Sequence, residues 1–308
     1  MRETLKSRRR RKLADQNRRE TIRAAAFFLT PAMLLIAVYI AWPIVNTLRL
    51  SLYAWNGIAP EMTPVGLDNW RTLATDMRFW QAFRNNVTLM ILSIGVQLPV
   101  GMLLATLLDM GGRRFSFLKT VYFLPMLMSS VAIGFLFRYA YDPQFGMITA
   151  VMNLLNRPGM VDVLGNPRVA LYGVIAVLCW QFIPFYMVLY LAGLSNVPEE
   201  LYEASVIDGA NRRQYYLNVA IPMMKGPILI SLVFAIVGSL KYFDLIWVMT
   251  AGGPFGSTEL MATYMFRNAF QSYRMGYGAT VAAGMFLIIT LMSLVTLKIG
   301  RRREVTGS

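Results

Sequence analysis

Histidine is absent from this sequence, and cysteine occurs once, as Cys179. Without histidine, the usual general base and the commonest zinc ligand are missing. A single cysteine excludes an intrachain disulfide and any cysteine-rich metal site. Charge is scarce as well: 15% of residues are Asp, Glu, Lys or Arg, against about 25% in an average soluble chain. No Gly-x-x-x-x-Gly-Lys-Ser/Thr phosphate loop is present; Gly253-Pro-Phe-Gly-Ser-Thr lacks the lysine. These absences leave little for a metalloenzyme, an acid–base enzyme or an ATPase to work with. Neither catalytic nor metal-binding residues are expected in the chain.

What the sequence has in excess is apolar surface. Hydrophobic residues make up 56% of the 308, with 21 Met and 18 Phe. The net charge of +14 would suggest nucleic acid in a soluble chain. Here the basic residues gather at the two ends and in short gaps between apolar runs, the distribution that sets membrane topology. Nucleic acid is therefore not expected as a partner, and membrane lipid is.

A helix needs about 20 mostly apolar residues to cross the hydrocarbon core. Six such runs occur, near 24–48, 87–108, 117–139, 169–194, 227–249 and 277–299. The expected fold class is all-α integral membrane with six transmembrane helices. An even number puts both termini on one side. Residues 1–23 hold ten Lys/Arg, and Lys298, Arg301, Arg302 and Arg303 mark the other end. With Arg113, Arg114, Lys119, Arg212, Arg213 and Lys225 in two gaps, 20 of the 30 basic residues fall on one side, which reads as cytoplasmic. Four Arg in the 49–86 gap argue weakly the other way. The organisation expected is a basic cytoplasmic tail (1–23), a permeation domain (24–300) and a short cytoplasmic tail (301–308). The first tail reads equally as a helix on the lipid surface or as a disordered charged segment. It is not a signal peptide, because its basic region is too long and a full span follows it.

The segment between the fourth and fifth runs is the most informative. Asn196 can cap a helix, Pro198 suits a first turn, and Glu199 and Glu200 favour the positive end of the helix dipole. Gly209 permits a left-handed residue that stops the helix. Asn211 can start a second helix, which Pro222 would close. The expectation is helix, glycine turn, helix, with Leu201, Ala204 and Ser205 on one side and Ile207 and Asp208 one turn on. Such a face either docks on a partner or packs on the chain's own spans.

These residues resemble the EAA loop of binding-protein-dependent ABC importer permeases. Glu203-Ala204-Ser205, three residues, Gly209, nine residues and Val219-Ala220-Ile221-Pro222 keep that loop's spacing, with departures at Ser205, Val219 and Ile221. Other segments are similar to the carbohydrate branch, the maltose and glycerol-phosphate type: Val65–Trp70, Tyr122–Pro125, Leu191–Leu194, Asp208–Ala210, Thr250–Pro254 and Tyr277–Ala279. The Gly252-Gly253-Pro254 turn resembles the first of the two permeases such systems contain. The resemblance implies a sugar importer in a bacterial inner (plasma) membrane. Its partners would be a second permease subunit, two ATPase subunits and an extracytoplasmic solute-binding protein. ATP and Mg would be bound by the ATPase, so this chain would carry no cofactor and would not be the enzyme. The resemblance also makes Glu203, Ala204, Ser205, Asp208 and Gly209 the coupling helix that seats in the ATPase.

Span four carries Leu178, Gln181, Phe182 and Phe185 on one helical face. Span five carries Ala235, Ser239 and Tyr242 at similar spacing, with Lys241 and Asp244 close by. The likeness to the maltose-type permease carries its sugar-contacting positions onto Leu178, Gln181, Phe182, Phe185, Ala235 and Ser239. Several differ in type, so its specificity does not transfer. Aromatic rings stack on sugar faces and amides bond hydroxyls, which suits a carbohydrate; helix packing alone is the other reading. Lys241 and Asp244 either neutralise each other or line the pathway. Pro184 is expected to kink span four, and Gly95, Gly101, Gly134, Gly238 and Gly284 to allow close helix packing. Two other classes stay open at this point: an ABC permease for amino acids or oxyanions, and an ion-coupled secondary transporter, which would show an inverted repeat.

Overall fold

A computed structural model of the chain describes residue 21 and residues 25–155 and 162–305. The expected basic tail at 1–23 lies almost wholly outside the described residues, as do residues 306–308 of the C-terminal tail. Apart from one two-stranded antiparallel ribbon, β1 (Tyr53–Ala54) with β2 (Thr63–Pro64), the regular structure is helical.

Among the described residues, five helices are long and apolar enough to cross a membrane. They are α1 (Ala25–Leu50), α3 (Met77–Met110), α7 (Ala170–Leu194), the Lys225–Met249 span and the Met275–Gly300 part of α13 (Met275–Val305). The remaining expected span, the third in the chain, is not a continuous helix. It consists of α4 (Ser116–Leu127) and α5 (Ser130–Ala140), bent by 90° at Met128–Ser129. Both break residues are extended, and the Ser129 hydroxyl caps α5 by accepting from the Val131 N–H at 3.3 Å. The fifth span is likewise two pieces, α10 (Lys225–Lys241) and α11 (Asp244–Met249), parted at Tyr242 and Phe243. Smaller helices are α2 (Asp68–Thr75), α6 (Met147–Leu154), α8 (Glu199–Ile207), α9 (212–223) and α12 (261–271).

The second span starts ten residues earlier than the apolar run suggests. Asp76 caps α3, its Oδ1 accepting from the Arg78 N–H at 3.0 Å. Its Oδ2 accepts from the hydroxyls of Tyr264 and Tyr277, which ties α3 to α12 and α13. Burial pushes the Asp76 carboxyl up, but these hydrogen bonds outweigh it and hold the group below its ordinary 3.8. A depressed carboxyl stabilises the fold above its unfolded pKa, and this is lost as pH falls through the folded value. The midpoint of thermal unfolding in detergent should therefore drop on acidification below about pH 4, with a shallower drop in Asp76→Asn.

At 34 residues, α3 is about 51 Å long, well beyond the roughly 30 Å hydrocarbon core. Its buried stripe runs Asn86, Leu89, Ser93, Gln97, Gly101 and Ala105, all but Leu89 small or polar, at helical spacing that lets α7 approach. At Gly101 an added Cβ would sit 2.9 Å from the Tyr186 Cβ and 3.1 Å from the Met187 backbone nitrogen. Gly101→Ala should therefore separate α3 from α7 and cost about 1–3 kcal/mol, read as a lower unfolding midpoint. Gly134 and Gly284 are close contacts of the same kind, against Val248 and Leu73. Gly95 and Gly238 are not: an added Cβ there meets nothing within 4 Å. Across Pro184 the helix α7 is unbroken.

None of the apolar span of α1 is buried within the chain. Phe27, Phe28, Met33, Leu34 and Trp42 are all more than half exposed.

Candidate functional site

Between α7 and α10 lies a cavity of about 250 Å³, walled by Leu178, Phe182, Phe185, Phe234, Ala235, Gly238, Ser239, Lys241 and Tyr242, with Gln97 from α3 and Met126 from α4. The aromatic side is built on itself. Phe182 meets Tyr242 edge-on at 6.0 Å, and Phe185 meets Phe234 at 5.8 Å. Seven of the nine pathway residues expected from the sequence thus border one space.

Gln181 and Asp244 do not. Gln181 is 2% exposed and points to α5, where its amide donates to the Ser130 hydroxyl at 3.1 Å, and its Oε1 finds no partner. One hundred degrees of rotation per residue sets Phe182 on the cavity and Gln181 on the bent third span. Asp244 opens α11 in its first turn, where a carboxylate faces the positive end of the helix dipole. Lys241 and Asp244 do not form an ion pair; the ion pairs among the described residues are Arg71–Asp68 and Arg267–Glu259.

Gln97 was not among the residues expected from the sequence. It is 2% exposed, borders the cavity, and its Nε2 has no hydrogen-bond partner. The Tyr242 hydroxyl is likewise buried and unpaired. Unsatisfied polar atoms in an apolar interior are costly; both belong to residues that border the cavity, from α3 and from the end of α10, with the atoms themselves closed off from its space in this conformation. Gln97 was visible in principle as the single amide within the apolar run 87–108.

The break that shapes the cavity's end is held by Asn86, which is fully buried. Its amide donates to the Ser239 carbonyl at 2.7 Å and the Leu240 carbonyl at 3.3 Å. Its Oδ1 accepts from the Met261 N–H at 2.8 Å. The last carbonyls of α10 have no intrahelical partner, so one side chain from α3 satisfies them and the start of α12 together.

At one end of the spans, α8 and α9 form the expected helix, turn, helix. Gly209 has φ +78 and ends α8. Asn211 caps α9 in a reciprocal capping box with Gln214. Asn196 does not cap α8; its amide donates back to the Ala192 carbonyl at 3.0 Å, and Pro198 takes the cap position. Pro222 does not close α9. A π turn at 216–220 widens the helix before the proline, and the chain stays helical to Met223. The face of α8 also differs from the expected one. Ser205 is buried, its hydroxyl donating to the Tyr202 carbonyl at 2.7 Å, and Leu201 is half-buried one turn before it. Glu203, Ala204, Ile207, Asp208 and Gly209 are exposed, Ile207 by 85%.

At the opposite end, the turn at Thr250–Thr258 opens a pocket of about 450 Å³ with Arg78, Gln81, Glu259 and Arg267. Burial pushes the Glu259 carboxyl up, and Arg267, 3.3 Å away, and Arg78 offset part of that. The Phe255 ring at the turn's tip is almost fully exposed.

A broken, multi-span helical fold with a capped helix–turn–helix at one end agrees with what comparison with known proteins shows. Residues 97–305 match the family described as binding-protein-dependent transport system inner membrane component. The chain belongs to that family. It is 37% identical to a probable ABC transporter permease protein of Pyrococcus horikoshii, over 87% of this chain and 91% of the relative. It is 34% identical to the probable ABC transporter permease protein YurN of Bacillus subtilis, over 88% of this chain and 94% of that one. The trehalose/maltose transport system permease protein MalF of Thermococcus litoralis is 26% identical over 90% and 93% of the two chains. A solved bacterial ABC transporter that imports the acidic polysaccharide alginate contains a chain of like fold. The TM-score is 0.78, with 94% of this chain and 99% of that chain covered, at 23% identity. The chain is thus an inner membrane permease subunit of a binding-protein-dependent ABC importer.

Proposed function

We propose that this permease passes a sugar or sugar-like solute through the cavity between α7 and α10. The observation that carries the reading is the cavity's two-sided chemistry. Phe182, Phe185 and Phe234 offer ring faces, while Gln97, Ser239, Lys241 and Tyr242 are the polar side chains that border the same space. A pyranose has an apolar face and a rim of hydroxyls to match. Relatives whose names include trehalose/maltose and multiple sugar-binding transport support the same class.

In this reading Leu178, Phe182, Phe185, Ala235, Ser239, Lys241 and Tyr242 touch the solute, joined by Gln97. Gln181 supports the wall from behind. The coupling surface is Glu203, Ala204, Asp208 and Gly209, with Ile207 as its apolar centre and Ser205 fixing α8 from beneath. One ATPase subunit docks there and a second on the partner permease; the two bind ATP with Mg and do the hydrolysis, so the permease is not itself catalytic. The unburied α1 supports a second permease subunit as a further partner. Its apolar flank needs lipid or protein to cover it, and the rest of this chain covers little. Both termini, with the α8–α9 loop, face the cytoplasm, as the basic residues favour, and the solute-binding protein docks at the opposite end.

Uptake by cells producing the whole importer tests the substrate class. Labelled maltose, trehalose and glucose are compared with a mixture of amino acids and with phosphate. ATP-dependent accumulation of a sugar is expected. Accumulation of amino acids or phosphate with no sugar taken up would favour the other branch of ABC permeases.

A further inference from the structure

The α8–α9 loop is joined to the spans by the chain itself, through α7 before it and α10 after it. The structure contains a third joint, to a helix far away in sequence. The Tyr216 hydroxyl donates to Asp109 Oδ2 at 2.6 Å, and Arg212 Nη1 donates to the Met110 carbonyl at 2.7 Å. Both acceptors lie in the last turn of α3. A carboxylate there faces the negative end of the helix dipole, and the last carbonyls lack partners. The two bonds from α9 answer both problems, with charge on one partner in each. Tyr216 is 8% exposed, and burial together with Asp109 holds its phenol well above the usual range, so it remains a donor. From this joint α3 runs as one helix past the close contact at Gly101 to Gln97 on the cavity, about 20 Å along the axis, and on to Asn86 at the break of the fifth span.

We propose that Tyr216 and Arg212 are positioning residues that lock the end of α3 to the coupling loop, so that α3 carries the loop's movement to the solute cavity. This rests on the reading of α8 as the ATPase-docking element. The joint is a small polar contact separate from the exposed face of α8, so its loss should leave docking intact.

The test uses the complete importer, with its ATPases and second permease, in lipid nanodiscs. Cys179→Ala removes the single thiol, and Gly238→Cys places a reporter on the cavity wall, where an added Cβ meets nothing within 4 Å. Its labelling rate with 2-(trimethylammonium)ethyl methanethiosulfonate is measured without nucleotide and with ATP plus vanadate. At least a fivefold difference is expected for the parent. Tyr216→Phe with Arg212→Met should hydrolyse ATP within twofold of the parent but show less than a twofold labelling difference. Asp109→Asn, which keeps an acceptor, should retain the difference, and Asp109→Leu should lose it. An undiminished difference in the double variant overturns the proposal. A second experiment does not depend on weakening the joint: Asp109→Cys with Tyr216→Cys, bridged by a bis-methanethiosulfonate reagent. A joint that moves as one body keeps ATP turnover within twofold when bridged; a fivefold fall shows that α3 and the loop slide past each other and overturns the proposal. If no ATPase associates with the parent, or its labelling ignores nucleotide, the coupling reading fails first and takes this inference with it.

Discussion

Gly209→Val should abolish transport while leaving the spans folded. Gly209 sits at φ +78, a conformation that costs an L-residue about 1–2 kcal/mol and a β-branched one more. Space is not the obstacle, since an added Cβ meets nothing within 4 Å. The strain is relieved by rotating the turn, and the turn fixes α8 against α9. Only Ser205 and the half-buried Leu201 and Tyr202 hold α8 from inside, so it would swing rather than the spans unfold. The expected result is a fall in sugar uptake of at least tenfold, with the variant recovered from membranes in parental amounts. Glu203→Ala should weaken association with the ATPase without changing the chain's own unfolding midpoint, because Glu203 is exposed. Normal uptake by both variants would remove the loop from the mechanism.

Asn86→Leu has the opposite signature, a loss of fold. The side chain is fully buried and makes three hydrogen bonds, all to backbone. Leucine leaves the Ser239 and Leu240 carbonyls and the Met261 N–H without their partner. Each buried polar group left unpaired costs about 1–3 kcal/mol, and in the membrane interior no water replaces the amide. A loss of roughly 3 kcal/mol or more is expected from the same figures, seen as aggregation on solubilisation or a much lower unfolding midpoint. Asn86→Asp keeps an acceptor for Met261 but loses both donated bonds, so it should fall between leucine and the parent.

Asn86 also shows why part of this fold is hidden from a reading of the sequence. The apolar runs announce where the chain enters and leaves the membrane, and they place α1, α3, α7 and α13 to within a few residues at most ends. Breaks are a different matter. Tyr242-Phe243 looks like continuous helix until Asn86, 153 residues before Ser239 in sequence, accounts for the freed carbonyls. The bend at Met128–Ser129 had a local signal in Pro125 and paired serines, but prolines 99 and 184 lie inside helices that continue across them. Proline alone therefore does not mark a break.

The candidate site divides in the same way. Helical spacing brings Leu178, Phe182 and Phe185 to one wall; joining that wall to Ala235 and Ser239 comes from the resemblance to the maltose-type permease, and the cavity borders all five. Spacing puts Gln181 on that same face, but it lies at the face's edge one residue from Phe182, and the position of α5 draws it away from the cavity to Ser130. Gln97 comes from a helix that two-helix reasoning never brought in. On α8, an inward Ser205 and an outward Ile207 depend on which side the spans lie, which an isolated nine-residue helix does not reveal.

The measurement that tests the central claim most directly is co-purification of tagged chain from detergent-solubilised membranes, followed by mass spectrometry and an ATPase assay. The account predicts a second permease and an ATPase in stable association, with hydrolysis stimulated by a sugar-loaded binding protein. Repeated recovery of the folded chain alone, with no nucleotide-dependent activity, would contradict it.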